Sequence, residues 1–106
     1  MSDINHNFDL NLYRVFYMVA ETKSISKAAE LLYVSQPAVS YSIKTLEEAL
    51  GGKLFFRTPK GVELTPEAQK LYDSVKSSYH SLTVGEKLFT EDKNLTTGDL
   101  YVRMQS

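Results

Sequence analysis

The sequence predicts a mainly α-helical chain interrupted once by a two-stranded hairpin, and three observations predict it. A small-residue segment, Ser26-Lys27-Ala28-Ala29-Glu30-Leu31-Leu32-Tyr33, is followed after a short break by a second helical segment opened by Ser35-Gln36-Pro37-Ala38-Val39-Ser40. Next, Leu54-Phe55-Phe56-Arg57 and Val62-Glu63-Leu64-Thr65 flank Thr58-Pro59-Lys60-Gly61, two β-prone runs around a turn. From Ala68 to Phe89, small or apolar side chains then recur at spacings of three and four, the period of one long helix. Two helices joined so tightly are a helix-turn-helix. With the hairpin as its wing, the expected architecture is a winged helix-turn-helix of three helices and a two-stranded wing, followed by a long dimerisation helix.

Each element has its own justification. The first helix starts near Asp9 or Asn11, ends around Thr22 to Ser24, and buries Phe8, Leu12, Val15, Phe16 and Val19, with Phe8 as a staple at its entrance. The second takes Ser26 as N-cap, and Ala28 and Ala29 allow the third to approach closely. In the third, Ser35 is a good cap and Pro37 suits the first turn, where a missing N–H costs nothing. Its apolar residues Val39, Ile43, Leu46 and Leu50 are spaced four, three and four apart and form one core-facing stripe. Gly51-Gly52 supplies the left-handed conformation that closes a helix.

Thr65-Pro66-Glu67 is a helix start, with a cap, a proline in the first position and an acid in the first turn. A helix over 66–91 is roughly 39 Å long at 1.5 Å per residue. So small a winged domain does not cover that length, and the seam of Leu71, Val75, Ser78, Leu82, Gly85 and Phe89 is expected to pair with a second copy of the chain. Residues 92–98 have the composition of a hinge, and from Gly98 onward Leu100, Val102 and Met104 alternate with polar residues as in a strand. A lone strand needs partners, so the expected organisation is a winged domain over 1–65, a linker and dimerisation helix over 66–91, and over 92–106 a hinge and the first strand of a further domain cut off here.

Composition bounds the chemistry. With 42% hydrophobic residues and no apolar run of membrane-spanning length, the 106-residue chain has the size of one soluble domain. Met1 to Asn7 lacks the basic-then-apolar pattern of a signal peptide, which predicts a cytoplasmic location and no membrane partner. The absence of cysteine excludes disulfides and thiolate metal sites. His6 and His80 are isolated, and there is no phosphate loop or metal-ligand spacing, so neither a catalytic residue, a metal nor a cofactor is expected.

The net charge of −1 is low for a nucleic-acid binder, but the positive charge is local: Lys23, Lys27, Lys44, Lys53, Arg57 and Lys60 stand against Glu30, Glu47 and Glu48. Opposite its apolar stripe, the third helix carries Gln36, Pro37, Ala38, Ser40, Tyr41, Lys44 and Thr45. A purely solvated helix would show Glu, Lys or Arg there. This face stays short, uncharged and rich in donors and acceptors until Lys44, as close approach to base edges requires. The alternative from another class, permitted by the near-neutral charge, is a winged-helix protein–protein interaction module without specific DNA binding.

From Leu10 to Ala68 the chain resembles the N-terminal DNA-binding domain of LysR-type transcriptional regulators. The likeness rests on Phe16, Val19, Ala20, Glu21, Ser24, Ala28-Ala29, Leu32, Ser35-Gln36-Pro37-Ala38-Val39-Ser40, Ile43, Leu46-Glu47, Leu50-Gly51, Leu54-Phe55, Arg57 and Leu64-Thr65. It implies a bacterial transcription factor that binds double-stranded DNA at a dyad-symmetric promoter site. It also implies a homodimer through the linker helix, a higher oligomer in the full-length protein, and a small-molecule effector held by a periplasmic-binding-protein-like domain after Gly98. Base readout falls to Gln36, Pro37, Ser40 and Tyr41. Contacts with the DNA backbone, wing included, fall to Ser26, Lys27, Ser35, Lys44, Arg57, Thr58 and Lys60. Two positions depart from the family pattern: Tyr41 sits where a basic residue is common, and Gln69 replaces a glycine frequent at the start of the linker helix.

Overall fold

The computed structural model describes residues 8–101, with side chains described over 8–92. Its elements run α1 (Leu10–Thr22), α2 (Ile25–Leu32), α3 (Gln36–Leu50), β1 (Phe55–Thr58), β2 (Gly61–Leu64) and α4 (Pro66–Tyr101). The chain divides into two compact units, one ending at Val75 and the other beginning at Lys76.

In the first unit every short helix is bounded by a polar cap. Asp9 caps α1, accepting the Asn11 N–H at 3.1 Å, and Phe8 meets Tyr13 edge-on with ring centres 6.2 Å apart. That contact is the expected staple, but Phe8 stays exposed and covers Tyr13 instead of entering the core. The cap of α2 is Ser24, not Ser26: Ser24 has the extended backbone of a cap and accepts the Lys27 N–H at 3.0 Å. Ser26 is already the second helical residue, and its hydroxyl shares a 3.1 Å hydrogen bond with that of Ser24. Ser35 caps α3 as expected, accepting the Ala38 N–H at 3.2 Å.

The tight turn between α2 and α3 is made by Tyr33 in the left-handed conformation, with φ 59°. Its N–H donates to Glu30 O at 3.2 Å and that of Val34 to Ala29 O at 3.1 Å, the paired bonds of a Schellman closure. Around this turn, Val15, Phe16 and Val19 of α1 pack with Ala28, Ala29 and Leu32 of α2 and Val39, Ile43 and Leu46 of α3. Leu50 departs from the expected stripe and is 50% exposed. It is the last residue of α3, the chain reverses at Gly51, and Leu54 closes the core in its place.

The wing is an antiparallel hairpin in the register Phe55↔Leu64, Phe56↔Glu63, Arg57↔Val62 and Thr58↔Gly61, leaving Pro59-Lys60 as its turn. It is seated on the helices at several points. Phe55 packs on Phe16 with ring centres 5.5 Å apart, and the Val62 N–H donates to the carbonyl of Lys23, the C-cap of α1, at 3.1 Å. Thr65 closes the hairpin: its N–H donates to Leu54 O at 3.0 Å, its hydroxyl donates to Lys53 O at 2.8 Å, and the Ala68 N–H donates to that hydroxyl at 3.2 Å. One side chain thus ends the wing and caps α4.

The opening turns of α4 belong to the first unit. Ala68 is buried, and Leu71, Tyr72 and Val75 are half-buried against the core. Tyr72 stacks on Tyr17 of α1 with ring centres 6.0 Å apart and donates its hydroxyl to Glu21. The second unit is the continuation of the same helix, which runs to Tyr101 rather than ending at 91. Where a hinge was expected from 92 and a strand from Gly98, the described backbone is therefore helical. A helix satisfies its backbone groups internally, whereas a lone strand has no ladder to join. The rest of the expected strand, from Val102, lies outside the described residues, as does His6.

Candidate nucleic-acid interface

The first two turns of α3 bring together four of the expected contact residues. Gln36 is the first helical residue and Pro37 the second, so the missing proline N–H falls where no intrahelical bond would form. Gln36, Pro37, Ala38, Ser40 and Tyr41 are all exposed, Tyr41 at 73%, while Val39 between them is fully buried. The buried stripe thus fixes which way the helix turns its other side. The exposed side presents an amide, a hydroxyl, a phenol and small apolar groups without a formal charge, which is the chemistry that hydrogen-bonds base edges and touches thymine methyls.

Side chains able to hold a phosphate stand on α2, on α3 and on the wing. Ser26 and Lys27 stand exposed in the first turn of α2, where the positive end of the helix dipole favours an anion. The Ser35 hydroxyl accepts its capping bond and keeps its own proton to donate. Lys44 is exposed two turns into α3. On the wing Arg57 and Lys60 are exposed, and Thr58 is half-buried, its hydroxyl accepting the Lys60 N–H at 3.2 Å across the turn. Lys53, at the root of the wing, reaches Glu47 at 3.8 Å with its own side chain 81% exposed.

The expected pairing seam on α4 divides in two. Leu71 and Val75 are half-buried against the core of the first unit. In the second unit, Ser78, Leu82, Gly85 and Phe89 are exposed, Leu82 at 66% and Phe89 at 71%, and Leu82, Gly85 and Phe89 share one shallow groove with Ser81, Glu86 and Thr90. Gln69 is exposed and donates to Asp73 one turn on at 3.1 Å.

Three residues outside these expectations shape the site. Glu47 accepts the Leu54 N–H at 2.8 Å, Gly61 lies against the Lys23 carbonyl, and Glu21 holds the Tyr72 hydroxyl. For Glu47 there was a signal: an acid in the last turn of a helix opposes the helix dipole, so its presence there asks for another partner. The other two depend on the approach of distant segments. Among the described residues there is no cluster of three or more His, Asp or Glu side chains arranged to hold a metal, and no helix is long and apolar enough to cross a membrane.

Comparison with known proteins agrees with this geometry. The family model for bacterial regulatory helix-turn-helix proteins of the lysR family matches residues 10–69. The glycine cleavage system transcriptional activator of Escherichia coli K12 is 45% identical over 74 residues, which are 70% of this chain and 24% of the relative. The transcriptional activator NagR of a Ralstonia species is 45% identical over 76 residues, 72% of this chain and 25% of the relative. The chain therefore spans about a quarter of the length of these relatives. Among solved structures, the BenM DBD in complex with catB site 1 DNA superposes with a TM-score of 0.65 at 32% identity, covering 87% of this chain and 96% of that one. Vibrio fischeri DarR in complex with DNA gives 0.67 at 30% identity, covering 85% of this chain and 31% of that one. Because the family model matches more than half of this chain, the chain belongs to the LysR family of bacterial helix-turn-helix regulators.

Proposed function

We propose that this chain is the operator-reading part of a LysR-type transcription factor and works as one half of a symmetric dimer on double-stranded DNA. The observation that carries the reading is the opening of α3, where Gln36, Pro37, Ser40 and Tyr41 are exposed and uncharged while Val39, Ile43 and Leu46 are sealed in the core. In this reading α3 lies in the major groove. The Gln36 amide pairs with the N6 and N7 edge of an adenine, Ser40 donates or accepts, Tyr41 touches a phosphate or a thymine methyl, and Pro37 packs against the bases. Lys27, Lys44, Arg57 and Lys60, with the hydroxyls of Ser26, Ser35 and Thr58, hold the phosphates and supply affinity by counterion release. The similar BenM and DarR chains were both solved on DNA, which supports this reading over a winged-helix module that binds only protein.

A dimer places two such helices in successive major grooves about 34 Å apart on one face of the duplex. The exposed seam of Leu82, Gly85 and Phe89 supports pairing through α4, with Ser78 and Gly85 small enough to let two helices approach closely. Residues 92–106 lead, in this reading, toward an effector-binding domain that takes a small molecule in the whole regulator, and the protein works on the bacterial nucleoid in the cytoplasm. The relatives are transcriptional regulators, and the chain is assigned no catalytic role.

The test is Gln36→Ala, measured by competition among duplexes that differ at single positions of a site selected from random DNA. Discrimination at one base position falls by on the order of 1 to 3 kcal/mol. An equal loss on every sequence would move Gln36 to a structural or phosphate role. Retention of the parent chain on mixed genomic DNA at two salt concentrations separates the DNA reader from a protein-binding module, which is retained at neither.

A further inference from the structure

We infer that Glu47 is a positioning residue for DNA binding: it clamps the root of the wing to the end of the recognition helix and so sets where Arg57 and Lys60 stand relative to Gln36 and Ser40. The inference rests on the proposed DNA-reading role and extends it to a residue at the other end of α3.

The geometry converges on one carboxylate. Glu47 Oε2 accepts the Leu54 N–H at 2.8 Å, and Oε1 lies 3.8 Å from the Lys53 ammonium. The Glu47 side chain is only 13% exposed, so it is tucked under the turn and not displayed to solvent. The backbone carbonyl of the same residue accepts the N–H of Gly51 at 2.8 Å and of Gly52 at 3.1 Å. Glu47 therefore closes α3 with its main chain and reaches over that closure with its side chain to the residue just before β1.

Leu54 is the point where this matters. Its side chain is buried, its carbonyl accepts the Thr65 N–H at 3.0 Å, and its own N–H goes to Glu47. Without the carboxylate, a part-buried donor at the wing root has no partner, and a hydrogen bond to a charged acceptor is stronger than a neutral one. A residue chosen for helix stability alone would be Lys or Arg in this last turn, since the dipole there disfavours a carboxylate. Glu47 works against the helix and for the junction. Because the wing is a two-stranded hairpin, which is marginal by itself, its aim depends on such anchors.

Amide hydrogen exchange on the free chain and a binding cycle on an operator duplex recovered by selection test the inference together. In Glu47→Ala, exchange at Leu54 and at residues 55–58 speeds up by on the order of ten-fold, whereas Glu47→Gln, which keeps an acceptor oxygen for the Leu54 N–H, recovers most of the protection. Affinity of Glu47→Ala for the duplex at low salt falls by about five-fold, and the same substitution costs less than about two-fold when Arg57 and Lys60 are both alanine, because the wing then has no contact left to misplace. Unchanged wing exchange in Glu47→Ala overturns the clamp, whatever the affinity does. Faster exchange with an equal affinity loss in both backgrounds overturns the positioning role and leaves Glu47 a stabilising residue only. A parent chain that binds no duplex overturns the DNA reading, and with it the claim on affinity, while the exchange arm still decides whether Glu47 holds the wing.

Discussion

Gly61 shows how one missing methyl group fixes the place of the wing. Its φ is 149°, a conformation that side chains rarely adopt, and a Cβ built there would sit 2.2 Å from the Lys23 carbonyl oxygen. That carbonyl is also the acceptor for the Val62 N–H. A methyl group would push apart the two backbones that this hydrogen bond joins, and neither is a flexible side chain that can swing away. Gly61→Ala should therefore destabilise the fold by on the order of 2 kcal/mol or more, combining backbone strain with the lost contact. Chemical denaturation of the two chains measures it, and an unchanged midpoint would mean that the wing is not seated on the end of α1. The sequence marked Gly61 only as one member of a turn. Its closeness to Lys23 joins residues far apart in the chain, so no local pattern carries it.

Between elements, α1 and the first turns of α4 are joined by a polar contact on an aromatic one. Tyr17 and Tyr72 stack, and the Tyr72 hydroxyl donates to Glu21. That hydrogen bond to Glu21, then partial burial, then the negative charge of Glu21 push the Tyr72 phenol up to about 12 from its ordinary 10. The sign follows from linkage. The folded state holds the proton more tightly than the unfolded one, so the stabilisation is complete below pH 10 and is lost as the pH rises from 10 toward 12. The contact is open to solvent, so its effect is small. Unfolding midpoints of the parent and Tyr72→Phe should draw together between pH 9 and about 12, as the parent loses its advantage. Curves that stay parallel would remove the Tyr72–Glu21 bond from the stability of the junction. The periodicity of α4 was legible in the sequence. The pairing of Tyr72 with Glu21 was not, because the two meet only once the core has set α1 beside the first turns of α4.

At the level of the whole molecule the second unit is the part of the chain with the most exposed apolar surface along one helix. A single helix with Leu82 and Phe89 exposed presents apolar surface to water, and in the proposed dimer a second copy covers the groove they share with Gly85. Leu82→Asp should yield monomers by light scattering while leaving the first unit folded, since no buried residue of that unit lies beyond Ala68. A dimer that survives the substitution would sink the seam. The proposed dimer also predicts how affinity scales: with few basic contacts per protomer, the dependence of binding on salt should be shallow for a DNA reader.

By itself the sequence determined the kind and order of the elements from α1 through the wing to α4, the turn and cap residues Ser35, Gly51 and Thr65, and the outward face of α3. Each of these follows from interactions within a few residues: periodic burial, capping hydrogen bonds and turn conformations act locally and leave a local pattern. The tertiary structure decided what those elements do to one another. It turned Leu50 outward in favour of Leu54 and drew Leu71 and Val75 onto the core. It also set the wing between the Lys23 carbonyl and the Glu47 carboxylate. These outcomes depend on which distant groups meet after the core of Phe16, Val19 and Val39 has closed. Contacts across such separations are selected by packing and by the need to pair buried polar groups, and a stretch of sequence does not contain the partner that satisfies it.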